Sequence, residues 1–443
     1  MSKGFWFCIT FWIIFTFARV LCHQPWSDEA NAWELARSFE FGSILESIKY
    51  QGHFFVWYFI LLPFAKFDFA YPYSMLIINW AFCFVALVVL WRFAPFNNWI
   101  KGLMTFSFPF FTYYPVVARC YSIGILLLFA LCALYKDRLK HPIWYANIVF
   151  ICANTSLMAC IGALIFGGIL LFDLFKQKQN KDLKICLGIA VTCILMLLVQ
   201  VLNVKYGGRP DDKIHGLTLD SFLLMFPLFP KFINAIFIGI FVVGFGISLF
   251  KDKLILMFLS VIYGFLLMFF HFCYAGDFWH WYFLYIYLIC ACWLALDRNV
   301  ISDKFKKATV ILLGLLTVMF FFELRYEIRV FQSNSKNIAE FIKENRTARF
   351  VYFDIILKST LPYLHDADYD LAYYEYSNRQ KDNVEFEKAK EYLASDKETY
   401  FLWSNCDEIE EIKGKNGEII KLFVAKNFQN TYCIYKTEFI KNK

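Results

Sequence analysis

Two adjacent carboxylates, Asp28 and Glu29, stand just past the first hydrophobic run, in Trp26-Ser27-Asp28-Glu29-Ala30-Asn31-Ala32-Trp33. The flanking tryptophans favour the lipid–water boundary, where indole rings settle at headgroup level. A carboxylate held there can act as acid or base on a substrate carried by a lipid. Groups able to meet an anion follow along the chain. They are His53 in Gln51-Gly52-His53, and Arg119 with Tyr121 in Ala118-Arg119-Cys120-Tyr121-Ser122. Asn154 in Ala153-Asn154-Thr155, Arg209 in a polar loop, and Asp277 with His280 in Gly276-Asp277-Phe278-Trp279-His280 complete the set. Acidic and basic groups in one set suit a substrate with both a phosphate and a reacting hydroxyl.

The elements that must position these residues are mostly membrane helices. The chain is 59% hydrophobic and 21% aromatic, with 54 Phe and only 18% charged residues. A soluble domain carries roughly a quarter charged residues. Long apolar runs recur from residue 4 to residue 322, the pattern of an α-helical polytopic membrane protein. From residue 323 Lys, Glu, Asp and Asn become frequent and no run is long enough to span. The expected division is a transmembrane domain over 1–325 and a small α/β soluble domain over 326–443. In the tail, helical patterns fall near 335–345, 359–365 and 387–394. Strand patterns fall near 349–353, 400–403, 419–424 and 432–435.

The net charge of +7 lies largely in short loops between apolar runs, where it sets orientation; it is not a nucleic-acid signal. Most of the 14 Cys lie inside apolar runs and no Cys-x-x-Cys pair occurs, which argues against a redox or metal framework. Placing the basic loops 92–101, 136–140, 176–184, 251–253 and 298–307 in the cytoplasm gives about eleven spans. They lie near 4–22, 73–91, 99–113, 120–135, 143–153, 157–175, 184–203, 232–250, 254–271, 281–296 and 308–322. The apolar stretch 54–64 is too short to cross and reads as a half-inserted helix at the outer face. Residues 23–72 then form one outer loop, the tail lies outside, and all the polar residues named above fall on the outer side.

Each of those residues also has a plainer reading. Asp28 and Glu29 suit the first turn of any helix, through the macrodipole. A lone Arg at a span end snorkels. His280 between two Trp fits an interface, and Asp211-Asp212 after Gly207-Gly208-Arg209-Pro210 reads as a turn. Ionisable groups gathered at a membrane boundary are nonetheless a functional hypothesis by default.

In order and topology these residues resemble the GT-C superfamily. These are polytopic glycosyltransferases that use polyprenyl-phosphate-linked sugars, among them the protein O-mannosyltransferases and the aminoarabinose transferases of lipid A. The likeness rests on His23-Gln24-Pro25-Trp26-Ser27-Asp28-Glu29-Ala30, on Gly52-His53, on the motifs around Arg119 and Asn154, and on Gly276-Asp277-Phe278-Trp279-His280. It covers most of residues 1–325. It departs at Gln51, where an acidic or basic residue is expected. The resemblance implies Asp28 as catalytic base, with Glu29 as the neighbour able to substitute. It implies Arg119, His53 and Tyr121 as the donor-phosphate site, and Asn154, Arg209, Asp277 and His280 as the lining of the sugar or acceptor pocket. The implied partners are a polyprenyl-phosphate-linked sugar, membrane lipids and a lipid, glycan or protein acceptor, with the active face away from the cytoplasm of a bacterial inner membrane.

A divalent cation, Mn or Mg, would find oxygen and nitrogen donors among these groups. No ligand spacing marks a metal set, so no metal-binding residue is assigned. The rival class is a transporter or flippase of a lipid-linked saccharide. It would place ionisable groups near the midplane and show repeat symmetry, whereas here the polar residues collect at one face.

Overall fold

The computed structural model describes residues 2–38, 53–201, 243–272, 278–322, 334–352, 356–364, 369–373, 398–403, 411–413, 419–428 and 432–440, with a few isolated positions between. The chain forms two compact units. The first comprises Met1–Cys22, Ser38–Phe67 and Tyr73–Ile328; the second comprises His23–Arg37, Asp68–Pro72 and Arg329–Lys443. The units therefore do not follow chain order. Two pieces of the first polar loop belong with the C-terminal tail.

In chain order the helices up to the tail are α1 (Lys3–Cys22), α2 (Ser27–Ser38), α3 (Phe55–Lys66), α4 (Tyr73–Phe93) and α5 (Asn98–Thr105). Then come α6 (Tyr121–Leu134), α7 (Pro142–Ala153), α8 (Leu157–Lys176), α9 (Asn180–Val201), α10 (Lys253–Phe272), α11 (Phe278–Arg298) and α12 (Asp303–Phe322). Among the described residues six helices are long and apolar enough to cross a membrane: α1, α4, α8, α9, α10 and α11. The protein is a multi-pass membrane protein. α3 has 12 residues, a length of about 18 Å against a hydrocarbon core of roughly 30 Å. The expected span near 232–250 lies largely outside the described residues.

Burial separates these helices into two kinds. α1 and α9 leave large apolar side chains such as Phe7, Phe15, Leu187 and Leu195 exposed, as a lipid-facing helix must. In α11 every residue from Trp279 to Ala295 is buried. Two of its tyrosines find hydrogen-bond partners inside the protein. The Tyr287 hydroxyl donates to Met158 O and accepts from the Gly162 amide at 3.2 Å. Tyr285 Oη and Thr317 Oγ1 are 2.8 Å apart. A Cβ on Gly162 would overlap the Tyr287 ring, so glycine is what lets α8 approach α11 this closely.

The sequence suggests one span over 99–113, and here the structure differs. α5 stops at Thr105, a π-helical turn runs over Pro109–Tyr113, and irregular buried backbone continues to residue 120. Pro109 lacks an amide hydrogen and cannot continue the helical ladder. Hydropathy is blind to this, because the run stays apolar across the break. Side chains from neighbouring helices satisfy the freed carbonyls, as backbone at membrane depth requires. Trp12 Nε1 donates to Phe110 O at 2.7 Å, and Arg19 donates to Phe111 O at 2.9 Å and Thr112 O at 3.3 Å. Asn79 Nδ2 donates to Tyr114 O at 2.8 Å and Val117 O at 3.1 Å, and Ser122 Oγ to Tyr114 O at 2.8 Å.

The second unit holds α2, α13 (Ser335–Glu344), α14 (Ile356–Leu364) and a six-stranded mixed sheet. Its strands are β1 (Arg349–Tyr352), β2 (Asp370–Tyr373), β3 (Thr399–Trp403), β4 (Glu411–Lys413), β5 (Ile419–Phe428) and β6 (Tyr432–Ile440), in the order β2-β1-β3-β6-β5-β4. β1 pairs parallel with β2 and β3; the other pairings are antiparallel. Ile338, Ala339 and Ile342 of α13 form a core with Phe350, Tyr400, Leu402, Leu364 and Ile434. α13 and β1 agree with the tail patterns, α14 starts earlier than its pattern, and β2 and β4 had no sequence signal. Most of the helical pattern at 387–394 lies outside the described residues.

Candidate active site

In the first unit the chain brings four of the proposed residues together. Arg119 Nη2 donates to His53 Nε2 at 2.8 Å. Tyr121 Oη lies 3.3 Å from that same nitrogen and 2.8 Å from His280 Nε2. The Arg119 guanidinium also sits 5.4 Å from the centre of the Tyr121 ring, within cation–π range. All four side chains are buried. Burial first, then the positive charge of Arg119 and the neighbouring His280, hold the His53 imidazole well below the usual histidine range.

Local structure explains the meeting. His53 pairs with Ser156 as an isolated antiparallel bridge. Phe54 N donates to Thr155 O at 3.1 Å and Val56 N to Asn154 O at 3.2 Å. Ser156 caps α8, its hydroxyl accepting from the Ala159 amide at 3.2 Å, the usual work of an N-cap serine. The broken segment after α5 delivers Arg119 to the start of α6, and Tyr121 is the first residue of that helix. His280 sits in the first turn of α11. α3, α6, α8 and α11 therefore all begin at this cluster. Helix N-termini carry partial positive charge. Added to Arg119, they make the place strongly attractive to an anion.

Asn154 is adjacent in sequence to this turn, but its side chain is engaged in the scaffold. Its Nδ2 donates to Phe150 O at 2.9 Å, and its Oδ1 accepts from Gln200 Nε2 at 2.8 Å. The Gln200 side-chain oxygen in turn accepts the first amide of α3, Phe55 N, at 3.0 Å. The side chain of Asn154, expected in the sugar or acceptor pocket, ties α7 and α9 to the start of α3. Gln200 carried no warning in the sequence, being one polar residue at the end of an apolar run. His280, expected in the sugar or acceptor pocket, contacts Tyr121 of the Arg119 cluster.

In the second unit the acidic doublet divides. Glu29 is fully buried. His23 Nε2 reaches both of its oxygens, at 2.9 and 3.2 Å, and the Trp26 amide donates to it at 3.1 Å. Glu29 is the third residue of α2, so the last bond is one half of a capping box. The Glu29 carboxylate, expected as the neighbour able to substitute for Asp28, is bonded at the helix start. Asp28 is partly exposed in the same first turn. α2 is held within its own unit by Ser335 Oγ donating to Pro25 O at 3.0 Å, Lys336 N donating to Gln24 Oε1 at 3.3 Å, and Trp33 packing 5.1 Å from the Tyr71 ring. Tyr71 packs 5.0 Å from Tyr363. Burial, Tyr363 and the carboxylates of Glu29 and Glu34 push the Tyr71 phenol well above its ordinary range.

Arg209 and Asp277 lie outside the described residues. Among the described residues no three His, Cys, Asp or Glu gather as a metal site. No protein-family model matches the chain. No curated protein matches it either. Solved structures do match the fold. ArnT from Cupriavidus metallidurans bound to undecaprenyl phosphate superposes with a TM-score of 0.54 at 11% identity, over 98% of this chain and 98% of that chain. The apo state of the same protein gives a TM-score of 0.50 at 11% identity, over 96% of this chain and 98% of that chain. The chain has the GT-C fold.

Proposed function

We propose that this GT-C-fold chain is a membrane glycosyltransferase. It moves a sugar from a polyprenyl-phosphate donor to a hydroxyl of a lipid, glycan or protein acceptor at the extracytoplasmic face. The observation that carries the reading is the buried Arg119–His53–Tyr121–His280 cluster at the starts of four helices, a setting built for a phosphate. The undecaprenyl phosphate bound to the ArnT neighbour supports the same ligand class.

Asp28 is the base. It takes the proton of the acceptor hydroxyl as that oxygen attacks the anomeric carbon, and the bond from that carbon to the phosphate oxygen breaks with inversion. A base so placed is typically worth 10²–10⁴-fold. Arg119 offsets the charge that grows on the departing phosphate, as preorganised donors do elsewhere, and its fork matches phosphate oxygens better than an ammonium would. His53 and Tyr121 complete the phosphate site with His280. Glu29 and Asn154 act through the scaffold. Arg209 and Asp277 keep the expected place at the sugar or acceptor.

The test is mass spectrometry of envelope glycolipids and glycans from cells with and without the protein, and from cells carrying Asp28→Asn or Arg119→Ala. Loss of one glycan residue in the deletion strain and in both variants is expected. Full restoration by Asp28→Asn would remove Asp28 as the base, and an unchanged glycan profile in the deletion strain would remove the transferase reading.

A further inference from the structure

The helix that follows His53 starts without a cap of its own. Phe54 occupies the N-cap position of α3 and makes no side-chain cap bond. A phenyl ring offers no oxygen to the first amides, and this one is buried. Buried amides still need acceptors. Neighbouring elements supply them. Phe54 N donates to Thr155 O at 3.1 Å and Val56 N to Asn154 O at 3.2 Å. Phe55 N donates to Gln200 Oε1 at 3.0 Å, across a separation of 145 residues. The cap of α3 therefore comes from a side chain of α9.

A carboxamide suits this place because it accepts and donates at once. While the oxygen of Gln200 takes the Phe55 amide, its Nε2 donates to Asn154 Oδ1 at 2.8 Å and to Met196 O at 3.0 Å. Met196 lies one turn back, so the side chain is braced against its own helix. Gln200 is fully buried, on a helix that turns Leu187 and Leu195 outward. Packing α9 on α7 needs only the bond to Asn154. The bond to Phe55 N is the one that reaches the segment carrying His53, which is itself bridged to Ser156.

We propose that Gln200 is a positioning residue for the phosphate site. By capping α3 from α9 it fixes where the chain turns into that helix, and so where His53 stands beside Arg119 and Tyr121. The proposal rests on the phosphate reading above. It makes α9, a helix with none of the cluster's side chains, part of what sets their geometry.

The experiment is calorimetry with undecaprenyl phosphate, beside thermal melting, on the full chain in lipid nanodiscs. Gln200→Met keeps the size of the side chain and loses the amide. It should bind about tenfold more weakly than the parent, the upper end of what one net hydrogen bond is worth. Thr105→Val removes a buried bond from another helix pair, Trp91 Nε1 to Thr105 Oγ1 at 2.9 Å. It should melt at lower temperature and bind as the parent does. Gln200→Glu tests rescue. A protonated carboxyl has the acceptor and the donor of the amide, whereas a carboxylate can only accept. In acid buffer, with the infrared band of the protonated carboxyl present, this variant should bind as the parent does at the same pH. Its binding relative to the parent should fall as the pH rises and the carboxyl ionises. Parent-like binding by Gln200→Met, an equal loss in Thr105→Val, or no rescue by the protonated carboxyl overturns the proposal and leaves the transferase reading standing. If Gln200→Met fails to fold, the Gln200→Glu profile decides alone, and a ratio to the parent that stays flat while the carboxyl ionises overturns the proposal. A parent protein that does not bind undecaprenyl phosphate removes the phosphate reading itself.

Discussion

The two units use the same kinds of residue in opposite ways. In the first, Arg119, His53, Tyr121 and His280 are all buried and contact one another in a single network. In the second, neighbouring carboxylates part company: Glu29 is buried under His23 and the α2 cap, while Asp28 stays partly exposed. The difference teaches what each place is suited to do. A buried, mutually bonded cationic cluster holds charge in place, which is what binding a phosphate needs. A carboxylate left partly exposed in the first turn of a helix, beside a neighbour that is fully bonded, is what the proposed base needs.

The sharpest way to break this contrast is Asp28→Asn. It should lower kcat by about 10²–10⁴-fold with little change in donor KM or melting temperature, measured by transfer assay and thermal melt in detergent. Next, Arg119→Lys keeps the charge but loses the fork. A drop of about 10²–10³-fold in kcat/KM is expected, with weaker undecaprenyl phosphate binding. A Lys variant that binds as tightly as the parent would mean the cluster reads charge alone. Glu29→Gln should behave in the opposite manner to Asp28→Asn. It removes charge-assisted bonds at the start of α2 and should cost about 1–3 kcal/mol of stability, read as a lower melting temperature, with kcat reduced far less. Equal kinetic losses in Glu29→Gln and Asp28→Asn would erase the division of labour.

The smallest effect is a pH dependence of stability. His53 is held below its ordinary range when folded, whereas in the unfolded chain it titrates near 6.5. The unfolded state then binds more protons between the two values. Stability from the neutral imidazole is therefore complete above about pH 6.5 and is lost as the pH falls toward the folded value. The ligand-free protein should melt at lower temperature when acidified below 6.5, and His53→Gln should flatten that slope.

Much of the membrane architecture was legible from apolar run length, because burial in lipid leaves the backbone few options. α1, α4, α8 and α10 sit where the runs lie. The tail's α13 and β3 were visible from periodicity. Four things were not. The break at Pro109 is hidden because the residues on both sides remain apolar, and only the donors Trp12, Arg19 and Asn79, far away in sequence, make it stable. Which of Asp28 and Glu29 is buried turns on His23 and on which carboxylate reaches back to the helix start, a question of three-dimensional direction. The scaffold role of Asn154 depends on Gln200, 46 residues on. Within the cluster, the residue types suggested a phosphate, yet the bridging of two imidazoles by Tyr121 spans 68 residues on one side and 159 on the other. No local pattern encodes contacts of that range.

The cladding of α11 has a further consequence. α1 and α9 touch the acyl chains and must tilt or strain when bilayer thickness changes, at a modest cost for each ångström of mismatch. α11, which carries His280, is wrapped by protein along nearly its whole length and has no acyl chains to answer to. A change in acyl-chain length therefore acts on α1 and α9 directly and reaches the turn that bears this imidazole only through the protein around it.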